Sequence, residues 1–556
     1  MDNYKKDQKK DELIEDLLIL LSKIEFSLIF LKRAAERGNE MEQHRKELEA
    51  AFRAGDFTRK EEAPLLAAEI YGELYSAAID NAMQRQAFHF SPPVGWMNDP
   101  NGFSYYNGKI QLFYQYNPYS IQWDTMHWGH ATSTDFVKWE RQPVALAPDQ
   151  PYDGSAGGGC FSGSAIEYGG KYWLVYTGVG RDEDTDMLLQ TQCVASSDDG
   201  IRFRKIAENP VIAQGKGLPS SVRPNDFRDP KLWEKDGHVY MIVSAGNASD
   251  RYSRLLLFRS DDMANWQYNG TVFSTSASAQ AQTGTMLECP DYFELDGTEI
   301  VMACPMDMTG HRNTNGSVYM AGRLNYDTGK FAVAEGFGGA REVDGGFDFY
   351  APQTMLHPDG RRIMIAWMHC PVRPSIGSLL GYGYACAQTF PRELFVKDGN
   401  LHQRPVREIE NYYRPPVSVT HTSDGEAAFV PELDGTCMNL QLEFSPSDGA
   451  GATVFADGAG KGLGIFYRQG RLYLDRSAVY PGSFPDSALI TSVPAPLIDG
   501  KVKIRLLLDK ISAEVFVADG RYAMTANVTA GGDHCRTLLR SEETLQMLAV
   551  KNEIVV

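Results

Sequence analysis

YYNGKIQLFYQY, residues 105–116, is an Asn-Gly turn followed by a run of aromatic and aliphatic residues that reads as a strand. The pattern returns four times, as EYGGKYWLVYTG (167–178), EKDGHVYMIVSAG (234–246), ELDGTEIVMACPM (294–306) and HPDGRRIMIAWMH (357–369). The turn glycines Gly108, Gly170, Gly237, Gly297 and Gly360 stand 62, 67, 60 and 63 residues apart. Behind the first three copies a second element recurs, as TSTDFVKW, ASSDDGIRF and FRSDDMANW. Each interval has room for about four short strands, and one such sheet alone would leave both its faces uncovered. Five copies predict a five-bladed β-propeller, because β-helix coils are normally shorter.

The repeat fixes the rest of the layout. Residues 88–400 form the propeller, 401–413 read as a linker with a short helix, and 414–556 alternate like an antiparallel β-sandwich. Residues 1–87 read as a helical extension. Leu13, Leu17, Leu20, Leu21, Ile24, Leu28 and Leu31 recur at helical spacing, and Gly38 and Gly55-Asp56 are expected to break the helices. This extension carries no polar constellation. It is expected to dock on the propeller or to join subunits of a homo-oligomer.

Composition narrows the function. With 54 Lys+Arg against 72 Asp+Glu, the net charge of −18 argues against nucleic acid or an anionic membrane as partner. The eight cysteines are scattered without a CxxC pair, as in proteins of a reducing compartment. The N-terminus, with acids just before its apolar run, reads as neither signal peptide nor membrane span. A cytoplasmic location follows as an expectation. His127 and His130 lie in HWGH without complementary ligands, so wall hydrogen bonds are expected of them and no metal; no phosphate loop or cofactor motif is present.

Seven to nine residues before each turn glycine lies a polar motif: NDPNG with Asp99, FSGSA with Ser162, FRDPK with Asp229, ECPDY with Glu288 and APQT with Gln353. Equivalent positions in successive blades meet at the propeller axis, so three carboxylates become neighbours there. Crowded acids raise each other's pKa, and two acids in different environments suit glycoside hydrolysis. An acidic metal site and a merely polar channel fit the periodicity too.

WMNDPNG, LFYQYNP, MHWGHATSTDFVKWE, CFSGSA, FRDPK, ECPDYF and FYAPQ, in that order, resemble the motifs of the β-fructofuranosidase/invertase family of glycoside hydrolases, family 32. The resemblance spans roughly residues 88–395. It implies a propeller followed by a sandwich, no cofactor, and retaining hydrolysis of terminal β-fructosides such as sucrose, sucrose 6-phosphate, inulin or levan. It also implies Asp99 as nucleophile, Asp229 as transition-state stabiliser and Glu288 as acid/base. Asn98, Gln115, Ser162, Arg228 and Gln353 become candidate hydroxyl partners. Trp96, Trp123, Phe161 and Trp367 become candidate apolar faces for the sugar.

Sucrose or sucrose 6-phosphate is the substrate expected first. An exo-fructosidase acting on fructo-oligosaccharides, inulin or levan is the alternative within the class. A fructosyltransferase and a non-catalytic carbohydrate-binding propeller also stay open. Asp124, where the family commonly has Gly, and the glycine-rich GSAGGGC (154–160) lie on the leaving-group side. Arg181, Arg251, Arg254, His311 and Arg312 are the candidates for holding a phosphate.

Overall fold

The computed structural model describes residues 16–22, 24, 36–54, 56, 59–76, 79, 85–155, 157–480, 488–529 and 534–556. Residues 95–405 build five antiparallel sheets whose innermost strands touch one another in ring order. Blade one holds β1–β4 (Gly95–Tyr106, Lys109–Asn117, His127–Ser133, Glu140–Leu146), and blade two β5–β8 (Gly159–Tyr168, Lys171–Arg181, Leu188–Ser197, Arg204–Lys205). Blade three holds β9–β12 (Val222–Lys235, His238–Asn247, Ser253–Ser260, Trp266–Ser274). Blade four holds β13–β17 (Met286–Leu295, Thr298–Met306, Val318–Asn325, Lys330–Val333, Arg341–Glu342). Blade five is β18 (Tyr350–Leu356), β19 (Arg362–Trp367), β21 (Arg392–Lys397) and β22 (Asn400–Pro405), while β20 (Tyr384–Ala385) pairs parallel with β1.

The turn after each of the first four inner strands has positive φ at both central residues or an equivalent Gly-Gly pair: Asn107-Gly108, Gly169-Gly170, Asp236-Gly237 and Asp296-Gly297. That is the hairpin geometry that matches strand twist, and it explains why the turns announced the blades. The second recurring element is the turn after the third strand, where Asp135, Asp199 and Asp262 each accept two backbone N–H groups. Blade four builds the same turn on Asn325. Apolar clusters fill the spaces between blades. Val175 and Val194 pack with Met241 and Val243, and Ile242 and Leu255 with Val301 and Met320.

Two boundaries shift. The expected linker 401–413 begins inside blade five, because residues 400–405 complete its outermost strand; the connection is the 3₁₀ turn Arg407–Tyr412 that follows. Gly38 does not break a helix but lies within α1 (Glu36–Arg53). A lone glycine weakens a helix by only about 1 kcal/mol, which packing overrides. Leu13, Leu28, Leu31 and Gly55 lie outside the described residues.

The extension folds on a small core of its own, with Leu17, Leu21, Leu48, Phe52, Leu66 and Ile70. Its helix α2 (Glu62–Ser76) lies against β4, with Leu65 and Ala68 joining the blade-one cluster. Glu69 pairs with Arg202 at 2.7 Å, and Gln150 Nε2 donates to Glu61 at 3.1 Å. The extension is therefore docked within the chain.

The C-terminal region is a sandwich of two six-stranded sheets around Leu440, Leu442, Val454, Ile465, Leu506 and Val515. A buried ion network welds it to the propeller. Arg392 donates to Asp344 at 2.9 Å and also pairs with Glu514 of the sandwich, and His89 lies 2.8 Å from both Asp509 and Glu514. Burial alone would lower the His89 pKa; the bonds to the two carboxylates outweigh it and raise it to about 9.

Since the unfolded value is about 6.5, the folded chain binds the extra proton, so this contribution is full below that value and is lost as pH rises through 9. Thermal melts of the wild type are expected to fall across that window. His89→Gln should melt lower at pH 6 by the equivalent of about 3–5 kcal/mol and lose much of this pH dependence. Parallel melting curves for both proteins would contradict the assignment.

Candidate active site

Every inner strand breaks register at the level of its polar motif, and β1 and β9 break it once more. Two residues face one across the strand pair at 98–99, 229–230, 289–290 and 351–352, and Ser162 is the extra residue in blade two. Pro230, Pro290 and Pro352 lack the N–H that a bulge would leave unpaired, and Pro100 stands directly after the bulge of blade one. Asp229, Cys289 and Ala351 take positive φ of 67°, 45° and 51°, a strained backbone that turns their side chains toward the axis.

This geometry corrects the alignment of the motifs. The residues equivalent to Asp99 are Ser162, Asp229, Cys289 and Ala351. Glu288 stands one position earlier, level with Arg228 and Tyr350. Gln353 stands beyond its bulge and does not line the pocket. It accepts from the Phe103 N–H at 2.7 Å and donates to the Gly163 carbonyl at 3.0 Å. With Asn101, Ser164, Lys231 and Asp291 it forms a second polar ring that ties neighbouring inner strands together, and Lys231 also reaches across to the Thr354 carbonyl of blade five. The distance from these residues to the turn glycine is eight in three blades and nine in two, so counting back from the glycine misaligned two of five.

Above that ring lies a pocket of about 330 Å³. Of the expected residues, Trp96, Asn98, Asp99, Gln115, Trp123, Phe161, Ser162, Arg228, Asp229, Glu288 and Trp367 all line it. Cys289, Tyr350, Met306, His369 and Pro371 complete the wall. Trp96 meets Trp367 edge to face at 5.8 Å, and Trp123 meets Phe161 at 5.5 Å. His127 and His130 sit in the blade-one core behind the wall and are not part of it. His130 stacks on Phe113 at 4.2 Å, and burial lowers their pKa values to about 4 and about 3. Asp124 caps its own loop, accepting from the Thr125 N–H at 2.8 Å.

The three carboxylates have different partners. Asp99 accepts from the Ser162 hydroxyl at 2.6 Å, and Asp229 from the Cys289 N–H at 3.0 Å. The Cys289 thiol sits between them, 3.6 Å from Asp99 and 3.7 Å from Asp229. Glu288 accepts from Arg228 Nη2 at 3.0 Å and Nε at 3.1 Å, and from the Tyr350 hydroxyl at 2.8 Å. Arg228 also pairs with Asp226, and its Nε lies 3.9 Å from Asp229.

Burial pushes the Asp99 carboxyl up, against the Ser162 hydroxyl, and the Glu288 charge adds to the push. Burial raises Asp229 to about 7 despite Arg228, with Glu288 and Asp99 contributing. Burial also holds the Tyr350 hydroxyl and the Cys289 thiol well above their ordinary values, so both stay protonated as donors. Protons and charge are thus distributed unequally over one small space, which is what acid/base work on a glycosidic bond needs.

The wall also depends on the sandwich. Asn527 Nδ2 donates to the Met368 carbonyl at 2.8 Å, just before His369. Asp348 is held by Arg476 of the sandwich at 2.6 Å and by Arg373 at 3.2 Å, beside the His369 ring. Sequence reading missed Tyr350 and Cys289. Their signal was the X-Pro step shared by RDP, ECP and YAP.

Fold and site together define a β-propeller glycosidase with axial carboxylates. The family model for the Glycosyl hydrolases family 32 N-terminal domain matches residues 89–405, and that for the family 32 C terminal matches 408–545. The raffinose invertase of Escherichia coli is 36% identical over 462 residues, 80% of this chain and 90% of that protein. The sucrose-6-phosphate hydrolase of Bacillus subtilis is 35% identical over 448 residues, 80% of this chain and 88% of that protein. The solved family 32 β-fructofuranosidase of Bombyx mori superposes with a TM-score of 0.74 at 30% identity, covering 88% of this chain and 97% of that one. The chain belongs to glycoside hydrolase family 32. It is a glycosidase that hydrolyses fructofuranosides of the sucrose type. Among the described residues no helix is long and apolar enough to cross a membrane.

Asp229 provides a test of the electrostatics. A carboxyl held near 7 in the fold and near 3.9 unfolded makes the folded state the better proton binder, so stability falls as pH rises between those values. Asp229→Asn is expected to be inactive yet to melt higher than wild type at pH 8, with the difference vanishing below pH 4. A variant that melts lower at pH 8 would contradict this.

Proposed function

We propose that the chain hydrolyses terminal non-reducing β-D-fructofuranosides with retention, and that neutral sucrose is its preferred substrate. Asp99 attacks the anomeric C2 of fructose while Glu288 gives its proton to the departing glycosidic oxygen, so the C2–O bond breaks as the C2–Asp99 ester forms. Water, deprotonated by Glu288, then attacks C2 and frees Asp99. Asp229 holds fructose hydroxyls and favours the positive charge that develops on the ring. Tyr350 and Arg228 orient Glu288 from opposite oxygens.

The substrate choice rests on the cations. Among the described residues lining the pocket the cation is Arg228, which is already committed to Glu288 and Asp226. The rim candidates for phosphate are engaged elsewhere: Arg181 with Asp186, Arg251 with Gln280, and Arg312 and His311 with Glu342. Arg254 does not line the pocket. The pocket offers the indole rings of Trp96, Trp123 and Trp367 instead, which suit an uncharged sugar. The relatives named as sucrose-6-phosphate hydrolases favour a second reading, in which the phosphate draws one of these arginines away from its partner. All eight cysteines are free thiols, which supports the cytoplasm as the place of action.

Steady-state kinetics on sucrose, sucrose 6-phosphate, 1-kestose and inulin test the proposal. Sucrose is expected to show the highest kcat/KM; a clear preference for the phosphorylated sugar, lost on Arg181→Ala or Arg312→Ala, would establish the second reading. Asp99→Ala and Glu288→Gln should each lose at least ~10²–10⁴-fold in kcat while remaining folded. NMR of the first-formed fructose should show the β-anomer, and inversion would exclude the double displacement.

A further inference from the structure

Among the described residues the helical extension supplies none to the pocket, yet it reaches the pocket's rim. Tyr71 of α2 meets Tyr119 edge to face, with ring centroids 5.2 Å apart, and Tyr75 one turn on packs against Tyr71 at 4.4 Å. Tyr119 stands near the start of the β2–β3 loop, residues 118–126, which carries Trp123 to the pocket mouth. Trp123 is 45% exposed and rests on Phe161 by an edge contact alone among the ring contacts described. Further contacts hold the loop: Asn117 accepts from the Tyr119 N–H at 3.1 Å and donates to Gln122 O at 2.9 Å, Ser378 donates to Ile121 O at 2.9 Å, Tyr119 also meets the His127 ring at 5.6 Å, and at the far end Met126 bonds Gly158 and Cys160 through the backbone at 3.3 and 2.8 Å.

The extension braces a second rim segment as well. Ile79 lies so close to Gly383 that a Cβ there would come within 2.8 Å of its Cδ1, and Arg85 covers the Tyr384 ring at 4.3 Å. Gly383 takes a φ of +77°, so both space and backbone demand glycine at this seam. The segment it closes, after β19, carries His369 and Pro371 of the pocket wall. Residues 71–85 precede the region that the family model matches, 89–405. The contacts are therefore made from outside that region.

We propose that α2 sets substrate specificity at a distance: Tyr71, through Tyr119, fixes the 118–126 loop so that Trp123 presents its face to the sugar on the leaving-group side. This rests on the fructosidase reading above. An unbraced loop would have to be ordered each time substrate binds, and that cost falls on affinity. Tyr71 touches no reacting atom and is a positioning residue. Its effect is uniform binding, equal in ground and transition states, so it moves KM and leaves kcat alone. An aromatic pair of this geometry corresponds to about a two- to tenfold change in KM.

The test is steady-state kinetics of the full chain on sucrose and on methyl β-D-fructofuranoside, whose methanol leaving group does not extend to Trp123. Tyr71→Ala is expected to raise KM for sucrose about two- to tenfold with kcat unchanged, and to leave both constants for the methyl fructoside unchanged. Tyr71→Phe, which keeps the ring, should behave as wild type. In a Trp123→Ala background, Tyr71→Ala should have no further effect on sucrose. Unchanged sucrose kinetics in Tyr71→Ala, an equal loss on both substrates, or a full effect surviving without Trp123 would overturn the proposal. Wild-type protein that turns over neither substrate would overturn the fructosidase reading itself, and this one with it.

Discussion

Glu288, Asp226 and Asp229 converge on the one guanidinium of Arg228, and the rest of the molecule is arranged to make that tolerable. Arg228 touches Glu288 and Asp226 directly and lies within 3.9 Å of Asp229, while Asp99 depends on a hydroxyl and a thiol instead of a cation. Like charges this close cannot all stay ionised in a dry pocket, so the site keeps protons that water would strip away. The same crowding costs stability, as functional sites commonly do. Removing one acid relieves the strain and removes the chemistry together.

The architecture supplies the restraint. Bulges at one level of all five inner strands aim side chains at the axis, and strained φ values at Asp229, Cys289 and Ala351 persist because neighbouring blades fix both flanks. Beneath the acids, the ring from Asn101 to Gln353 ties one inner strand to the next through contacts of 2.6–3.2 Å. The sandwich completes the wall through Asn527 and Arg476, so the pocket is a product of both domains. Burying ions such as Arg392 and Glu514 at that seam gains little net stability, but it admits one relative orientation of the two domains.

Much of this was readable because it is periodic. Five turns fixed by backbone φ announced five blades, and the acids sit one strand-length ahead of them. Local pattern gave out where one residue matters. Glu288 and Gln353 fall out of line because the spacing to the turn glycine is eight residues in some blades and nine in others. Cys289 and Tyr350 escaped notice because a thiol and a phenol gain their roles only beside neighbouring carboxylates. Gly38 reads as a break, yet α1 runs through it, because a lone glycine costs little against the packing of that helix's Leu48 and Phe52 with Leu66. The docking of α2 on β4, and the meeting of Tyr71 with Tyr119, join segments far apart in sequence, and no spacing encodes such contacts.

The central assignment is that Asp99 carries the sugar between the two half-reactions. Glu288→Gln given β-fructofuranosyl fluoride bypasses the need for acid assistance in the first step and lacks the base for the second, so a covalent intermediate should accumulate. Acid quench, proteolysis and mass spectrometry would then locate it. A hexosyl adduct on the peptide containing Asp99, absent from the Asp99→Ala/Glu288→Gln double variant, is the predicted result. An adduct on Asp229 or on another residue, or rapid fluoride release with no adduct at all, would contradict it.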